Sequence, residues 1–302
     1  MTVTATSIDV DRAAEFLWRH ARLLERRRFA HRFDRPDPDG VAAAVLAYRN
    51  PDGGFGQALE PDCRTPHSQP QATRLALGAL ADVGRLDRTV AEDARSWAAG
   101  LVTAEGGLPF CLPTVVGYSR APWWDPGGDP PPANVTPTGG LVGRLREADA
   151  AEVGAPWLDR AEAWCFDELD RVLAAGEAPS QYHVDDLAEL CAFAVDRAAA
   201  GRALGILREQ LAAGRVVPLV PGEGSGPDTH TPLDIAPRPD HPLRPAFPDG
   251  VIEAFLDRLV ADQQPDGGWT IDWPAPGETA VWEWRGVRTL GALEVLDAYG
   301  RL

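Results

Sequence analysis

A glycine-rich motif that recurs along the chain constrains its fold more than any other feature. The chain carries NPDGGF at residues 50–55, QPDGGW at 264–269 and a weaker copy, EGGLPF, at 105–110. Paired glycines supply the positive φ angles that end a helix, and an acid before them can bond back to nearby backbone amides. The aromatic ring that follows can then pack under the turn. Each copy therefore predicts a helical hairpin: one helix, a tight corner and, after a short loop, a second helix.

Helical patterning on both sides of these corners supports the hairpin interpretation. Two weaker turns, at Gly176-Glu177 and Gly214-Arg215, fit between the glycine-rich copies. The helices before the corners carry charges along one face, whereas those after them are mostly apolar, as in residues 71–80, 187–195 and 289–296. Charged outer helices and apolar inner helices are what a closed ring of hairpins requires. Strand patterns are essentially absent, so the sequence predicts an all-α fold.

Charge and composition exclude several classes of function. The chain has 45 acidic and 29 basic side chains, a formal net charge of −16. Such a chain repels phosphate backbones and anionic lipids, so we expect no nucleic-acid partner. No apolar stretch approaches the ~18–20 residues of a membrane-spanning helix. The four cysteines form no CxxC pair and the N-terminus lacks the apolar run of a signal peptide, which together indicate a reduced, cytoplasmic protein.

The glycine-rich corners carry a family resemblance. The motif at 264–269 resembles the QW-type repeat of squalene–hopene cyclases, related class II terpene cyclases and the prenyltransferase β-subunit, and the motif at 50–55 is similar. The resemblance implies a single (α/α) barrel over residues 1–302, with about five to six hairpins around a central cavity for a small hydrophobic substrate. A Pro/Gly-rich insertion at 113–137 and a Pro-rich loop at 227–248 interrupt the repeats. One fold hosts several chemistries, so function needs its own evidence.

The start of one inner helix carries the first candidate site, Tyr182-His183-Val184-Asp185-Asp186. Class II cyclases carry a DxDD motif whose central aspartate protonates an alkene or epoxide. Aligned on it, this chain has His183 in place of the first aspartate, and the resemblance implies Asp185 as the acid, with Asp186 and His183 beside it. Tyr182 would contact the substrate. In the alternative interpretation the two aspartates only cap the N-terminus of a helix, a common use of this residue.

The same residues form a second pattern, Asp185-Asp186-x-x-Glu189, which resembles the DDxxE motif of class I terpene synthases. Residues four apart share a helix face, so Asp185 and Glu189 could bind one Mg²⁺. The second metal motif of those enzymes is missing from the sequence. Asp62-Cys63 matches the zinc ligands of prenyltransferases only superficially. We therefore predict no metal ligands and no cofactor, with Mg²⁺ needed only if the substrate is a diphosphate.

The Pro-rich loop at 227–248 stands where an inner helix is expected, and its prolines forbid a regular one. Long loops are often functional. His230 and Asp234 could line the cavity and contact the substrate, or the loop could be a rigid surface crossover.

Aromatic residues form the last group of candidates. Substrate contacts are predicted for Trp123, Trp124, Trp273, Trp282 and Trp284, with Glu283 as a polar member. Aromatic faces stabilise cations. Trp282 and Trp284 are two residues apart, however, and on a helix they point in different directions.

Two hypotheses of function remain open. The first is a terpene cyclase-like enzyme that binds an isoprenoid-type substrate and starts cyclisation with a proton from Asp185. The second is a non-catalytic toroid that binds a hydrophobic ligand or a partner protein.

Overall fold

The computed structural model describes residues 8–148, 155–224 and 226–302. These residues are mostly helical, which confirms the all-α prediction. In chain order the helices are α1 (Val10–His20), α2 (Leu23–Phe33), α3 (Pro38–Leu46), α4 (Pro70–Asp82), α5 (Arg88–Ala99), α6 (Val135–Ala148), α7 (Pro156–Ala174), α8 (Gln181–Phe193), α9 (Arg197–Ala212), α10 (Pro232–Ile235), α11 (Asp249–Ala261) and α12 (Glu278–Ala298). Two short strands, β1 (Leu108–Pro109) and β2 (Ala133–Asn134), pair antiparallel. No described helix is both long and apolar enough to cross a membrane.

Contacts group the chain into two compact units. Unit 1 comprises residues 1–37 and 208–302, and unit 2 comprises residues 38–207. In unit 2, α6 packs against α4, α7 and α8. In unit 1, α12 packs against α1 and α2, and α10 packs against α11. A single barrel over the whole chain stays a prediction.

The three glycine-rich corners repeat one pattern of backbone hydrogen bonds. In the first corner, the Gly53 N–H donates to the Asn50 carbonyl at 3.1 Å, and the Asn50 N–H donates to the Gly54 carbonyl at 2.9 Å. The same pair of bonds recurs at Thr103, Gly106 and Gly107 and at Gln264, Gly267 and Gly268. The φ angles of Gly53, Gly106 and Gly267 are 96°, 121° and 92°, which only glycine adopts without strain. The motif therefore forms the corners that the sequence predicts.

A buried threonine of the next helix ties each corner to that helix. The three N–H donors and their threonine Oγ1 acceptors are Phe55 with Thr73 at 3.0 Å, Leu108 with Thr138 at 2.8 Å and Trp269 with Thr289 at 3.0 Å. Each bond satisfies a buried backbone donor that would otherwise destabilise the fold. The helices α4, α6 and α12 are therefore equivalent; with α8, which the sequence also predicts as an apolar helix, we call them the inner helices.

A neighbouring helix closes over the glycine pair and explains why no side chain fits there. In unit 2, a Cβ on Gly54 would lie 2.8 Å from the ring of Trp97 on α5. In unit 1, a Cβ on Gly268 would lie 2.8 Å from the ring of Phe16 on α1. The N-terminal helix α1 thus packs on the last corner in the same way that α5 packs on the first.

Two segments depart from the simple hairpin. The corner at 103–108 is not followed by a short loop, and this part of the prediction is wrong because the insertion delays the inner helix α6 until Val135. In unit 1, the Pro-rich loop forms only the four-residue α10 and a short 3₁₀ turn over Arg244–Ala246. Its prolines remove backbone donors, as predicted. Gly176 and Gly214, with φ angles of 76° and 64°, end α7 and α9 as the weaker turns require.

Candidate functional site

The aspartate pair of α8 divides into one sealed and one partly accessible carboxylate. Asp186 is 2% exposed, whereas Asp185 is half-buried. Ser180 is the N-cap of α8, since its hydroxyl accepts the N–H of His183 at 3.2 Å. Both aspartates lie beyond this cap and its first turn. The N-cap of α8 is therefore Ser180 and neither of the two aspartates.

Asp186 is held by groups from two other inner helices. Its Oδ2 accepts the hydroxyl of Thr136 at 2.8 Å, and its Oδ1 accepts the backbone N–H of Gly140 at 3.0 Å. The Nε of Arg74, on α4, lies 3.2 Å from the same Oδ1. Residues 136 and 140 belong to the first turns of α6, where backbone N–H groups lack partners within the helix. Asp186 thus supplies an acceptor to α6 and a counter-ion to α4.

Glycines on α6 make this arrangement sterically feasible. A Cβ on Gly139 would lie 2.8 Å from the carbonyl oxygen of Asp186, and one on Gly143 would lie 2.8 Å from that of Glu189. The two helices therefore approach at backbone distance. A Cβ on Gly140 would overlap with the side chains of Arg74, Asp186 and Glu189 at once. Because Gly140 has no side chain, the side chain of Arg74 can pass over it and reach α8.

The charges continue from Asp186 as an alternating series. Arg74 lies 2.9 Å from Glu189 through its Nη2, and Arg144 of α6 lies 2.9 Å from the other oxygen of Glu189. Arg144 also binds Glu147 at 2.9 Å. The series, which we call the acid segment network, joins α4, α6 and α8. Because Glu189 pairs with two arginines, its negative charge is compensated without the Mg²⁺ of a DDxxE site.

The environment gives the two carboxylates opposite proton affinities. Burial raises the pKa of Asp186 to about 7, with Arg74 and the Thr136 hydroxyl opposing the rise and Glu189 adding to it. Burial also disfavours the charge on Glu189, but Arg74 and Arg144 outweigh it and lower its pKa. A buried carboxylate that must share its cation keeps its proton more readily. Asp185 lies within the electrostatic field of both Arg74 and Asp186.

The other residues predicted for this segment lie around the network and not in it. Tyr182 is 39% exposed. His183 uses its backbone N–H for the Ser180 cap, and burial lowers the pKa of its imidazole against the weaker opposing effect of Glu168. A neutral imidazole cannot supply the negative charge of the first aspartate in the DxDD motif that this segment resembles.

Unit 1 holds a second acid–arginine pair on the Pro-rich loop. Thr231 and Asp234 form a capping box at the start of α10, with the Thr231 hydroxyl donating to Asp234 at 2.7 Å. The Nη1 of Arg288, on α12, donates to Asp234 at 2.8 Å. Burial disfavours the charge on Asp234, but Arg288, His230 and the Thr231 bonds outweigh it and lower the pKa. The loop is therefore fixed to an inner helix, with His230 in the field of Asp234.

The predicted tryptophans separate into different environments. Trp124 is 1% exposed and packs with Phe110, Cys63 and Cys111, whereas Trp123 is 40% exposed. Core packing therefore accounts for Trp124.

The tryptophans of α12 point apart, as their spacing predicts. Trp282 stacks on His20 at 4.5 Å between ring centroids, and the guanidinium of Arg285 lies 5.1 Å from its ring. Trp284 meets Trp273 edge to face at 5.2 Å. Glu283, which lies between Trp282 and Trp284 in the sequence, is half-buried. Trp282 thus helps fix α1 to α12, and Trp273 and Trp284 pack against each other.

Sequence reasoning missed the cation of the α8 site. Arg74 is followed by seven apolar residues of α4, and a charge beside such a stretch must find a partner. That signal was readable, but it does not say which partner. In residues 8–148, 155–224 and 226–302, no three His, Cys, Asp or Glu side chains come together as a group that could hold a metal.

Comparisons with known proteins support the fold. No protein-family model matches the chain, and no curated protein matches it in sequence. Among solved structures, the chain is similar to the type II terpene cyclase MstE from Scytonema in its apo form, with a TM-score of 0.56 and 14% sequence identity. The match covers 97% of this chain and 98% of that chain. At this identity the likeness concerns the fold alone: the chain has a terpene cyclase-like fold.

Proposed function

We propose that the chain is a terpene cyclase-like enzyme that binds a small isoprenoid-type substrate and protonates it from Asp185. The observation that carries this proposal is the difference in burial between the two aspartates of α8. Asp186 is buried and hydrogen-bonded, whereas its neighbour Asp185 is only half-buried. Asp185 also interacts electrostatically with Arg74. The terpene cyclase-like fold supports the same conclusion.

The acid segment network suits a proton donor. A general acid must hold its proton at the working pH and lose it in the transition state. Asp185, Asp186 and Glu189 place three carboxyl groups within about one helical turn, and Arg74 interacts with all of them. Two arginines cannot neutralise every carboxyl group of the network, which also includes Glu147. One proton retained on the aspartate pair relieves the repulsion.

The proposed reaction balances without a further reagent. The proton of Asp185 bonds to one alkene carbon with the π electrons, and the neighbouring carbon becomes cationic. A second double bond of the substrate attacks that cation and forms a ring bond. Loss of a proton to water gives a neutral cyclic product, and water returns a proton to Asp185. Tyr182, which is 39% exposed on the same helix, is proposed as a substrate contact.

Product analysis tests this proposal. Purified protein is incubated with farnesyl diphosphate, geranylgeranyl diphosphate or squalene, extracted with organic solvent and examined by mass spectrometry. Asp185→Asn removes the transferable proton and keeps the shape, and Asp170→Asn, an exposed aspartate of α7, is the matched control. We expect a cyclic product from the wild type and the control and none from Asp185→Asn. Equal product from Asp185→Asn would move the acid elsewhere.

A second candidate function is a non-catalytic toroid that binds a hydrophobic ligand or a partner protein. The observation in its favour is that both oxygens of Asp186 are used within the fold. The acid segment network would then serve stability alone. This candidate predicts no cyclic product from any substrate, and equal binding of the same lipids by the wild type and Asp185→Asn.

A further inference from the structure

We propose that Arg74 is a positioning residue that controls the protonation of the aspartate pair, by reaching across Gly140 to bind Asp186 and Glu189 together. The inference deepens the proposed function and rests on it for its catalytic consequence. Its electrostatic content can be measured without turnover.

Geometry first supports a shared cation. The Nε of Arg74 lies 3.2 Å from Asp186 and its Nη2 lies 2.9 Å from Glu189. Its side chain is nearly buried, so water screens these contacts weakly. A substituent at Gly140 would occupy the same space. The arginine is therefore confined to one path and one pair of partners.

The groups around Asp186 leave Arg74 as its cation. The neighbours of Asp186 come from four helices. They are Arg74 of α4, Thr136 and Gly140 of α6, Cys165 of α7, and Asp185 and Glu189 of α8 itself. Arg144 of α6 acts on Asp186 only through Glu189. The Thr136 hydroxyl and the Gly140 N–H donate hydrogen bonds but carry no charge, and the buried thiol of Cys165 is neutral because burial raises its pKa. The carboxylates add repulsion. Removing Arg74 must therefore raise the proton affinity of the pair.

Arg144 gives the same control from the other side. It binds Glu189 at 2.9 Å, which leaves more of the Arg74 charge to the aspartates. Without Arg144, Glu189 would draw on Arg74 alone. Both substitutions should therefore act in one direction, with the larger effect from Arg74, which touches Asp186 directly.

The test uses carbon-13 NMR of aspartate and glutamate carboxyl groups in the full chain, titrated between acid and alkaline pH. The variants are Arg74→Gln, Arg74→Lys and Arg144→Gln. Arg88→Gln is the control, since Arg88 also pairs with a carboxylate, Glu92, but on the exposed surface of α5. Asp185→Asn and Asp186→Asn assign the signals.

We expect Arg74→Gln to raise the titration midpoint of the aspartate pair by roughly one to three pH units. Arg74→Lys keeps the positive charge and should leave the midpoint near the wild-type value, Arg144→Gln should give a smaller rise than Arg74→Gln, and Arg88→Gln none. In the cyclisation assay, the pH above which activity is lost should rise by the same amount, because a weaker acid keeps its proton to a higher pH. Unmoved midpoints in folded Arg74→Gln would overturn the inference.

The two proposals fail separately. If the midpoints shift but the wild type makes no cyclic product, the proposed function fails and the control by Arg74 stands. If product forms and the midpoints do not move, only the control by Arg74 fails. Should Arg74→Gln not fold, Arg144→Gln decides, and its midpoints must rise for the inference to hold.

Discussion

Each unit holds an aspartate that pairs with an arginine of an inner helix, Asp186 buried and Asp234 half-buried, yet the pKa values of the two acids shift in opposite directions. Asp186 in unit 2 shares Arg74 with Glu189, and burial raises its pKa to about 7. Asp234 in unit 1 has Arg288 at 2.8 Å and two bonds from Thr231, and these lower its pKa in spite of burial.

The difference shows that an arginine beside a carboxylate does not by itself decide whether the acid is charged. Each aspartate has two further hydrogen-bond donors, so what differs is how many carboxylates its arginine serves. Unit 2 concentrates carboxylates on one stretch of α8, whereas unit 1 gives Asp234 its own cation and cap. A proton donor fits the first arrangement and a structural anchor fits the second.

The largest expected difference between the units comes from removing the arginines. Arg74→Met leaves two carboxylates in a buried network without their shared cation, which should cost about 3–5 kcal/mol of unfolding free energy. Arg288→Met should cost roughly 1–2 kcal/mol, because its pair is more exposed and is screened by solvent. Urea denaturation measures both. Equal losses would contradict the contrast drawn between the two sites.

A pH series sharpens the comparison, beginning with Asp186. Its pKa is about 7 in the folded protein against 3.8 for an ordinary aspartate, so the folded state binds more protons between these values. Stability from this group therefore falls as pH rises from about 4 to 7. Asp186→Asn removes this dependence, and the variant should gain stability relative to the wild type between pH 4.5 and 7.5. Parallel curves for variant and wild type would refute it.

Asp234 should show the reverse. Its lowered pKa means that the folded protein favours the charged form, so its contribution is present above the ordinary value of 3.8 and is lost as pH falls below it. Asp234→Asn should therefore show a constant loss between pH 4.5 and 7.5 and a shrinking loss near pH 3. Thermal unfolding across the same buffers serves both variants.

The smallest contrast is between two glycines within inner helices. Gly140→Ala adds a Cβ where Arg74, Asp186 and Glu189 meet, which should cost about 1–3 kcal/mol. Gly291→Ala, on α12, meets open space and should stabilise the protein by up to about 1 kcal/mol, since alanine favours the helix. A gain at both positions, measured by urea denaturation, would mean that the path of Arg74 over α6 is not confined.

The corners were predictable from sequence because their physics is local. Gly53 and Gly267 need positive φ angles, and the turn bonds join residues only a few positions apart. The threonines that complete the corners were not predicted, because the insertion and loops put 18 to 30 residues between donor and acceptor.

The candidate site was predictable only in part. The aspartate pair was found from its motif, but the spacing of Asp185 and Asp186 does not reveal which one the fold seals. That depends on Gly140 and Arg74, which come from distant segments and meet α8 only in three dimensions. Hydrophobic patterning locates inner helices well, but it does not predict which polar side chain of one helix contacts the next.

The most direct test of the account is cyclisation in heavy water. Proton transfer from an exchanged Asp185 places one deuterium on carbon, where it does not wash out. We predict a cyclic product heavier by one mass unit than the product formed in ordinary water, and no such product from Asp185→Asn. A cyclic product without deuterium would show that the cation arises by another route and would contradict the assignment of Asp185 as the acid.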